Sequence, residues 1–203
     1  MSDKYKNFEE LSEAEEYGVD YRIRFANRPS NIITMAIHGG GIETGTSEVA
    51  IGIAGDITSL YLFEGMKSSG NGDLHITSTN FDEPTALEMV SKADYAYSIH
   101  GYADSINKNT KIGGADKELK QKVYESLIAH GFSAEILEEG TALAGSDEEN
   151  ICNKTTRGMG VQLEISTAQR NVFFGKNTAA DRQNTQTQEF YNYTQAIKNT
   201  IPF

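Results

Sequence analysis

The sequence predicts an α/β fold: a single compact domain over residues 1–203, with a mixed, largely parallel central sheet flanked by helices. Three observations predict it. Runs rich in Val, Ile, Tyr and Phe alternate with segments of helical periodicity, the order expected of strands joined by helical crossovers. The 203 residues, 38% of them hydrophobic, suit one core on a prior of roughly 100–200 residues per domain. No internal repeat divides the chain.

A polar, Glu-rich segment comes first, and residues 21–25 then alternate with period two, as a half-buried or edge strand does. Residues 31–37 read as a central strand. Thr46 is placed to cap a helix reaching Ala54, with Val49, Ala50 and Ile53 on one face. Residues 59–63 and 74–78 are strand candidates. Asp82-Glu83-Pro84 opens a helix ending near Lys92, since Pro suits the first turn and Asp accepts from its free amides. Residues 93–99 read as strand and 116–130 as the clearest helix, with Leu119, Val123, Leu127 and Ile128 on one face and Gly131 as its stop. Residues 133–137 and 161–165 complete the strands. Between them, 138–160 is a long polar connection of the kind that is more often functional or mobile than inert. In the Gln-, Asn- and Thr-rich tail, Phe190, Tyr191, Ala196 and Ile197 predict one amphipathic helix packed back on the domain.

Composition removes several classes of function. Eighteen Lys and Arg against 29 Asp and Glu give a net charge of -11, and no basic tract is present, which argues against nucleic acid and anionic membrane as partners. No apolar run approaches the roughly 20 residues that span a bilayer. The amino terminus lacks the apolar core of a secretory signal, so synthesis in the cytoplasm is expected. Cys152 is the only cysteine, which excludes an intrachain disulfide and thiolate-rich zinc sites. It sits in a polar loop with no evident base, and no G-x-S-x-G elbow occurs, so Cys or Ser catalysis is not indicated. Any metal must rest on His, Asp or Glu.

In open α/β sheets the ligand crevice lies past the carboxyl ends of the strands. His38 follows the apolar run 32–37, and His100 follows 95–99. Five residues apart, His38 and Glu43 would point about 140° from each other on a helix. Gly39-Gly40-Gly41 between them instead allows a tight loop that folds the carboxylate back beside the imidazole. Two imidazoles, a carboxylate and a position left for water form a recognised catalytic zinc set, which His38, Glu43 and His100 can supply. The plainer alternative is a phosphate-cradling loop or a simple turn with Glu43 solvated. Glu164 alternates out of register with Val161, Leu163 and Ile165 and so faces the other way, like Gln162. On pattern alone that is first an ordinary solvent-facing strand residue; beside a metal-activated water, a carboxylate there is the base the chemistry needs.

These segments resemble a known family. "SIHGY" (98–102) is similar to the segment giving zinc carboxypeptidases their last histidine ligand, and "QLEIS" (162–166) to the strand bearing their catalytic glutamate. With "HGGGIETGTSEVA" and "LHITSTNFDEP", and in this order over about residues 20–175, they more closely resemble the phage-type poly-γ-glutamate hydrolases and their bacterial relatives. The resemblance implies a zinc carboxypeptidase-like fold and hydrolysis of γ-glutamyl amide bonds in the polymer that encapsulates some bacilli. It matches His38 and His100 to histidine ligands of one zinc, Glu43 to the carboxylate ligand and Glu164 to the general base. Carboxypeptidases space their first ligands H-x-x-E, whereas four residues separate His38 from Glu43, so exopeptidase specificity does not carry over.

Arg157 is the leading candidate for a substrate carboxylate, through a bidentate pair, against the alternative of a surface arginine. Asn153, Lys154, Arg170 and Arg28 are lesser candidates. His75 is a candidate for substrate contact or support of the site, or is satisfied within the sheet, and Tyr102 for an oxyanion contact or packing. His130 is expected at a helix dipole. Because an acidic protein repels a polyanion, some basic residues are expected to line the groove, and a uniformly negative cleft would weigh against this substrate. The rivals are a metallo-carboxypeptidase or amidase acting on peptides or cell-wall fragments, and a non-enzymatic anion-binding module. A monomer is expected, acting outside cells after release by host lysis.

Overall fold

The computed structural model of the chain describes residues 3–202. One sheet contains β1 (Tyr21–Ala26), β2 (Ile32–Gly40), β3 (Ser59–Gly65), β4 (Tyr95–Tyr102), β5 (Thr110–Gly113), β6 (Ala134–Ile136) and β7 (Val161–Ser166). Their spatial order is β1-β3-β2-β4-β7-β5-β6. The central strands β3, β2, β4 and β7 run parallel. β1 joins β3 and β5 joins β7 antiparallel, while β6 lies parallel to β5. The expected mixed, largely parallel sheet is thus present.

Helices cover both faces: α1 (Phe8–Ala14), α2 (Thr46–Ala54), α3 (Pro84–Val90), α4 (Lys117–Ala129), α5 (Thr167–Val172) and α6 (Gln188–Lys198). On one face Val49 and Ile53 of α2, Val123 of α4 and Tyr193 and Ile197 of α6 pack on Ile99 and Leu163. On the other, Leu11 of α1 and Ala86 and Val90 of α3 pack on Ile33, Met35 and Phe63. A strand covered on both sides has no solvent face, which is why β2 reads as one apolar run rather than an alternation.

α4 shows how local sequence sets these elements. The Asp116 carboxylate accepts from Leu119 N at 3.0 Å, and Gly131 ends the turn at φ +82°. Leu119, Val123 and Leu127, four apart, form the buried stripe, each worth about 1.5–3 kcal/mol if fully buried. Ile128, expected on that stripe, turns about 100° off it and is exposed, as is Tyr191 of α6.

Several expectations are corrected. Residues 74–78 form no strand: a 3-10 turn over Asn71–Leu74 leads into an extended run whose backbone is satisfied from elsewhere. Thr77 N donates to Asp3 Oδ2, and Ile151 N donates to Ser78 O. Thr46 is not the cap of α2, because Gly45 at φ +95° occupies that position and Thr46 Oγ1 donates back to Glu43 O at 2.8 Å. Glu83, not Asp82, caps α3 by accepting from Thr85 N and Ala86 N, while Asp82 accepts from Phe8 N and secures α1. α1, α5 and β5 are short elements that the periodicity did not single out.

The order of connections positions the site. From β2 the chain passes through α2 to β3 on one side. It then returns through α3 to β4 on β2's other side, with α2 and α3 on opposite faces. Crossovers of one handedness require that placement when the direction reverses. β2 and β4 therefore flank a topological switch point, where connections diverge and leave a crevice past the strand ends. Their pairing stops at Met35↔Ser98, and His38 and His100 lie just beyond.

Candidate active site

A cavity of about 900 Å³ opens at this switch point, lined among others by His38, Glu43, His75, His100, Tyr102 and Glu164. The loop after β2 brings the first two together. Gly40 takes φ +65°, and a Cβ on it would meet Gly65 O at 2.4 Å, so only glycine fits there. Glu43 N then donates to His38 O at 2.9 Å, folding the loop back on the strand end. His38 Nδ1 comes to 3.1 Å from Glu43 Oε1 and 3.0 Å from His100 Nδ1, and His100 Nδ1 to 3.7 Å from Glu43 Oε2.

The chemistry of this donor set fits a cation. His38 Nε2 lies 2.8 Å from the Ile76 carbonyl, which only accepts, so that nitrogen carries a proton and Nδ1 is the atom turned to Glu43 and His100. His100 Nε2 is likewise engaged, by Ser98 Oγ at 2.8 Å, leaving Nδ1 toward His38. Two imidazole nitrogens and the Glu43 carboxylate thus converge on one point, where a cation would replace the proton that His38 and Glu43 otherwise share. Zinc bonds of about 2.0–2.2 Å at tetrahedral angles set ligand atoms about 3.3–3.6 Å apart; the two Nδ1 atoms lie 3.0 Å apart, and the Glu43 carboxylate reaches 3.1 Å from one through Oε1 and 3.7 Å from the other through Oε2. Each imidazole is oriented through its second nitrogen, as metal-binding histidines are.

Charge and burial shape the titration of these groups. Burial would lower His38, but the Glu43 carboxylate more than offsets it and the net shift is upward. Burial would raise Glu43, yet His38, His100 and the Gly101 amide hold it well below the usual carboxylate range. His100 falls below the usual imidazole range, chiefly through burial. Glu164 is pushed up to about 8, by burial first and by the Glu43 charge second. A carboxyl held neutral by a neighbouring anion is a group whose ionisation a cation would restore.

Glu164 is the register partner of His100 across β4 and β7, so both project from the same face. That face is not solvent: Glu164 is buried, because the 138–160 connection folds over it. Gln162 Nε2 donates to Glu164 Oε1 at 2.9 Å, Asn150 Nδ2 to Gln162 Oε1 at 2.9 Å, and Cys152 N to Asn150 Oδ1 at 3.1 Å. A backbone N–H can only donate, so it fixes the orientation of both amides in turn. Gln162 and Asn150 were not site candidates, although the parity that Gln162 shares with Glu164 was legible.

The softer candidates separate. His75 lines the cavity, its ring centroid 4.0 Å from that of His38, and its Nδ1 lies 2.7 Å from Asp3 Oδ1. His38, Glu43 and His75 also offer ligand atoms within 4.8 Å of one another, a second candidate set that shares His38 and Glu43 with the first. Tyr102 lines the cavity, and its phenol is pushed up by burial first and by the Asp104 and Glu135 carboxylates, against Asn109 and Ser166. Arg157 is not in the cleft: it pairs with Asp116 at 2.7 Å and lies 4.2 Å over the Tyr95 ring, near the opposite end of β4. Asn153 is structural, its buried amide accepting from Ala115 N and Gly160 N and donating to Gly145 O and Asp147 O.

Lys154 pairs with Glu149, and Arg28 bonds Thr58 O. Arg170 lies buried beneath the site and donates to Thr44 O, Ile165 O and Tyr102 O, clamping the segments after β2, β7 and β4. His130 accompanies the end of α4 as expected, its Nδ1 2.7 Å from Ser126 O. The expected basic lining is not found: Asp3, Glu43, Asp147 and Glu164 line the cavity, and among the described residues no Lys or Arg does.

Fold and cleft together define an α/β protein with a mixed sheet and a candidate site at the carboxyl ends of β2, β4 and β7. The chain belongs to the poly-gamma-glutamate hydrolase family, whose model matches residues 5–196. It is 49% identical over 200 residues to the SPbeta prophage-derived protein YoqZ of Bacillus subtilis (strain 168), covering 98% of this chain and 72% of YoqZ. A bacteriophage poly-gamma-glutamate hydrolase superposes with a TM-score of 0.93 at 44% identity, covering 98% of this chain and 96% of its own. YndL of Bacillus subtilis (strain 168), solved in a zinc-free apo form, superposes with a TM-score of 0.94 at 42% identity, over 98% and 97% of the two chains. The activity is accordingly hydrolysis of poly-γ-glutamate.

Proposed function

We propose that hydrolysis depends on one zinc ion per chain, held by His38, Glu43 and His100, with Glu164 as general base. The convergence of His38 Nδ1, His100 Nδ1 and the Glu43 carboxylate within 3.0–3.7 Å carries this reading. A zinc ion bound there supplies Lewis acidity, polarising the γ-glutamyl carbonyl and lowering the pKa of water toward about 7.

The chain's own residues do the rest. Glu164 Oε2 is left free by the Gln162 bond to Oε1 and takes the proton from the attacking water. The same oxygen returns that proton to the departing α-amine, so the leaving group departs neutral. His75, held by Asp3, forms the wall beside His38, and the 138–160 connection limits access of bulk water. Substrate carboxylates meet neutral donors of the cavity wall, among them Thr77, Ser78 and Asn150. The protein acts as a monomer on capsule polymer outside cells; its release by host lysis is supported by the phage origin of one relative and the prophage origin of another.

Elemental analysis of purified protein, paired with loss of high-molecular-weight poly-γ-glutamate before and after chelation, tests the proposal. About one zinc per chain and chelator-sensitive depolymerisation are expected. Full activity in zinc-free protein would overturn it.

A further inference from the structure

A cleft without Lys or Arg among its lining residues must still hold a substrate that carries a carboxylate on every unit. In a γ-linked glutamate chain the α-carboxylate stays free, and its α-carbon is bonded directly to the amide nitrogen. A carboxylate therefore lies two bonds from each scissile nitrogen. In an interior α-linked bond that carboxyl is consumed in the next amide. A cation at the edge of the reactive row, rather than within it, would read this difference.

One lysine stands there. His100 of β4 is the register partner of Glu164 of β7, and Glu164 is the register partner of Lys111 of β5. The three occupy one row across three adjacent strands, on the same face. At about 4.8 Å between strands, the Lys111 backbone is about one strand spacing from Glu164 and two from His100. Its ammonium lies 4.8 Å over the ring of Tyr102, which lines the cavity. Lys111 is half-buried and has no ion-pair partner among the described residues. Its charge acts on Asp104, but that carboxylate is already held by Ile106 N, Asn107 N and the Asn107 side chain. Other cations close to the site are committed: Arg170 donates to three carbonyls, and Arg182 pairs with Glu48.

We propose that Lys111, steered by the Tyr102 ring, is a specificity-determining residue that binds the free α-carboxylate flanking the scissile γ-glutamyl bond. It is placed to do so because it shares a row with His100 and Glu164 and has no carboxylate partner of its own. The proposal rests on the reading of Glu164 and its row as the reactive centre. Tyr102 thereby belongs to substrate binding through its ring, which orients the ammonium, and not through its hydroxyl.

Steady-state kinetics on poly-γ-glutamate test this with K111Q, K111R and, as a control of equal charge change, K108Q. Lys108 is exposed and pairs with Glu189 outside the cavity. K111Q should raise KM about tenfold with kcat changed by less than about threefold, the effect of losing one charge-assisted hydrogen bond at a half-exposed site. K111R should recover most of the loss, K108Q should match wild type, and added salt should narrow the gap between wild type and K111Q. Equal KM for K111Q and K108Q would overturn the proposal, as would failure of K111R to rescue. Unchanged zinc content and melting temperature in K111Q verify the fold. E164Q run in parallel separates the two readings: its retained activity would defeat the reactive-centre assignment, whereas the KM comparison reports on Lys111 alone.

Discussion

Replacing Glu164 by Gln should produce two opposite effects, one on activity and one on stability. The amide cannot take a proton from water, so kcat should fall by about 10²–10⁴, the usual contribution of a positioned base. The ligand set is untouched, so zinc content should stay near one per chain. Stability of the metal-free protein should move the other way. Burial and the Glu43 charge raise the Glu164 pKa from 4.5 to about 8. Its protonated form is thus the favoured one in the fold, and ionisation of the unfolded chain progressively favours unfolding as pH rises from about 4.5 to about 8. At about 1.4 kcal/mol per unit, the penalty in wild type reaches a few kcal/mol at neutral pH. Gln bears no such penalty and can still accept from Gln162 Nε2 through its own Oε1. Urea unfolding of metal-free wild type and E164Q at pH 4.5 and 7.5 measures it: the mutant should be the more stable at 7.5, with the difference shrinking toward 4.5. A mutant less stable than wild type at pH 7.5, or one retaining more than about a tenth of wild-type kcat, would refute the reasoning.

H100A should lose zinc on dialysis, while H75A keeps it and loses activity only in part, because His100 Nδ1 meets His38 Nδ1 at 3.0 Å whereas His75 Nδ1 is engaged by Asp3; zinc retained by H100A and lost by H75A would reverse the assignment. R170M leaves the carbonyls of Thr44, Ile165 and Tyr102 without a shared donor and should cost about 3 kcal/mol, read from denaturant midpoints. Glu15 is opposed by burial but held down to about 2 by Lys67, Tyr5 and Lys4. Its stabilisation is therefore full above about 4.5 and lost as pH falls toward about 2, so E15Q should flatten the acid limb of the stability profile in that window. Raising ionic strength from about 10 to 150 mM, which shortens the Debye length from about 30 to 8 Å, should increase kcat/KM on the polymer; a steep fall would point to a basic track along the substrate path.

The central strands were legible because β2 and β7 are continuous or alternating apolar runs with polar residues just past their ends. His38, Glu43, His100 and Glu164 were legible for the same reason: a strand end followed by a histidine or a misplaced carboxylate is visible in one dimension. Arg157 was misjudged because proximity in sequence to Glu164 says nothing about which end of the sheet a loop occupies; the loop returns at the amino end of β7, beside Tyr95 and Asp116. Residues 74–78 alternate like a strand, but their backbone bonds go to Asp3, His38 and Ile151 instead of a ladder. The Asn150–Gln162–Glu164 chain and the Lys111 row depend on register between β5, β7 and a distant loop, which no local pattern encodes.

The acidic lining is less paradoxical than the net charge suggests. Of its four carboxylates, Glu43 is turned onto His38, His100 and the Gly101 amide, and Asp3 is spent on His75 and Thr77 N. Glu164 stays largely neutral while the site holds no cation. That leaves Asp147 as the lining acid whose charge is least compensated by the site, and its Oδ1 accepts only from Glu149 N. A divalent cation on two neutral imidazoles and one carboxylate would leave a net charge of about +1 at the reactive centre, enough to offset an ionised Glu164. The long-range field then repels the polymer while the centre itself does not. Affinity must come from contacts within a few ångströms of the scissile bond rather than from a positively charged groove, and so from the neutral donors of the walls and a cation placed as Lys111 is.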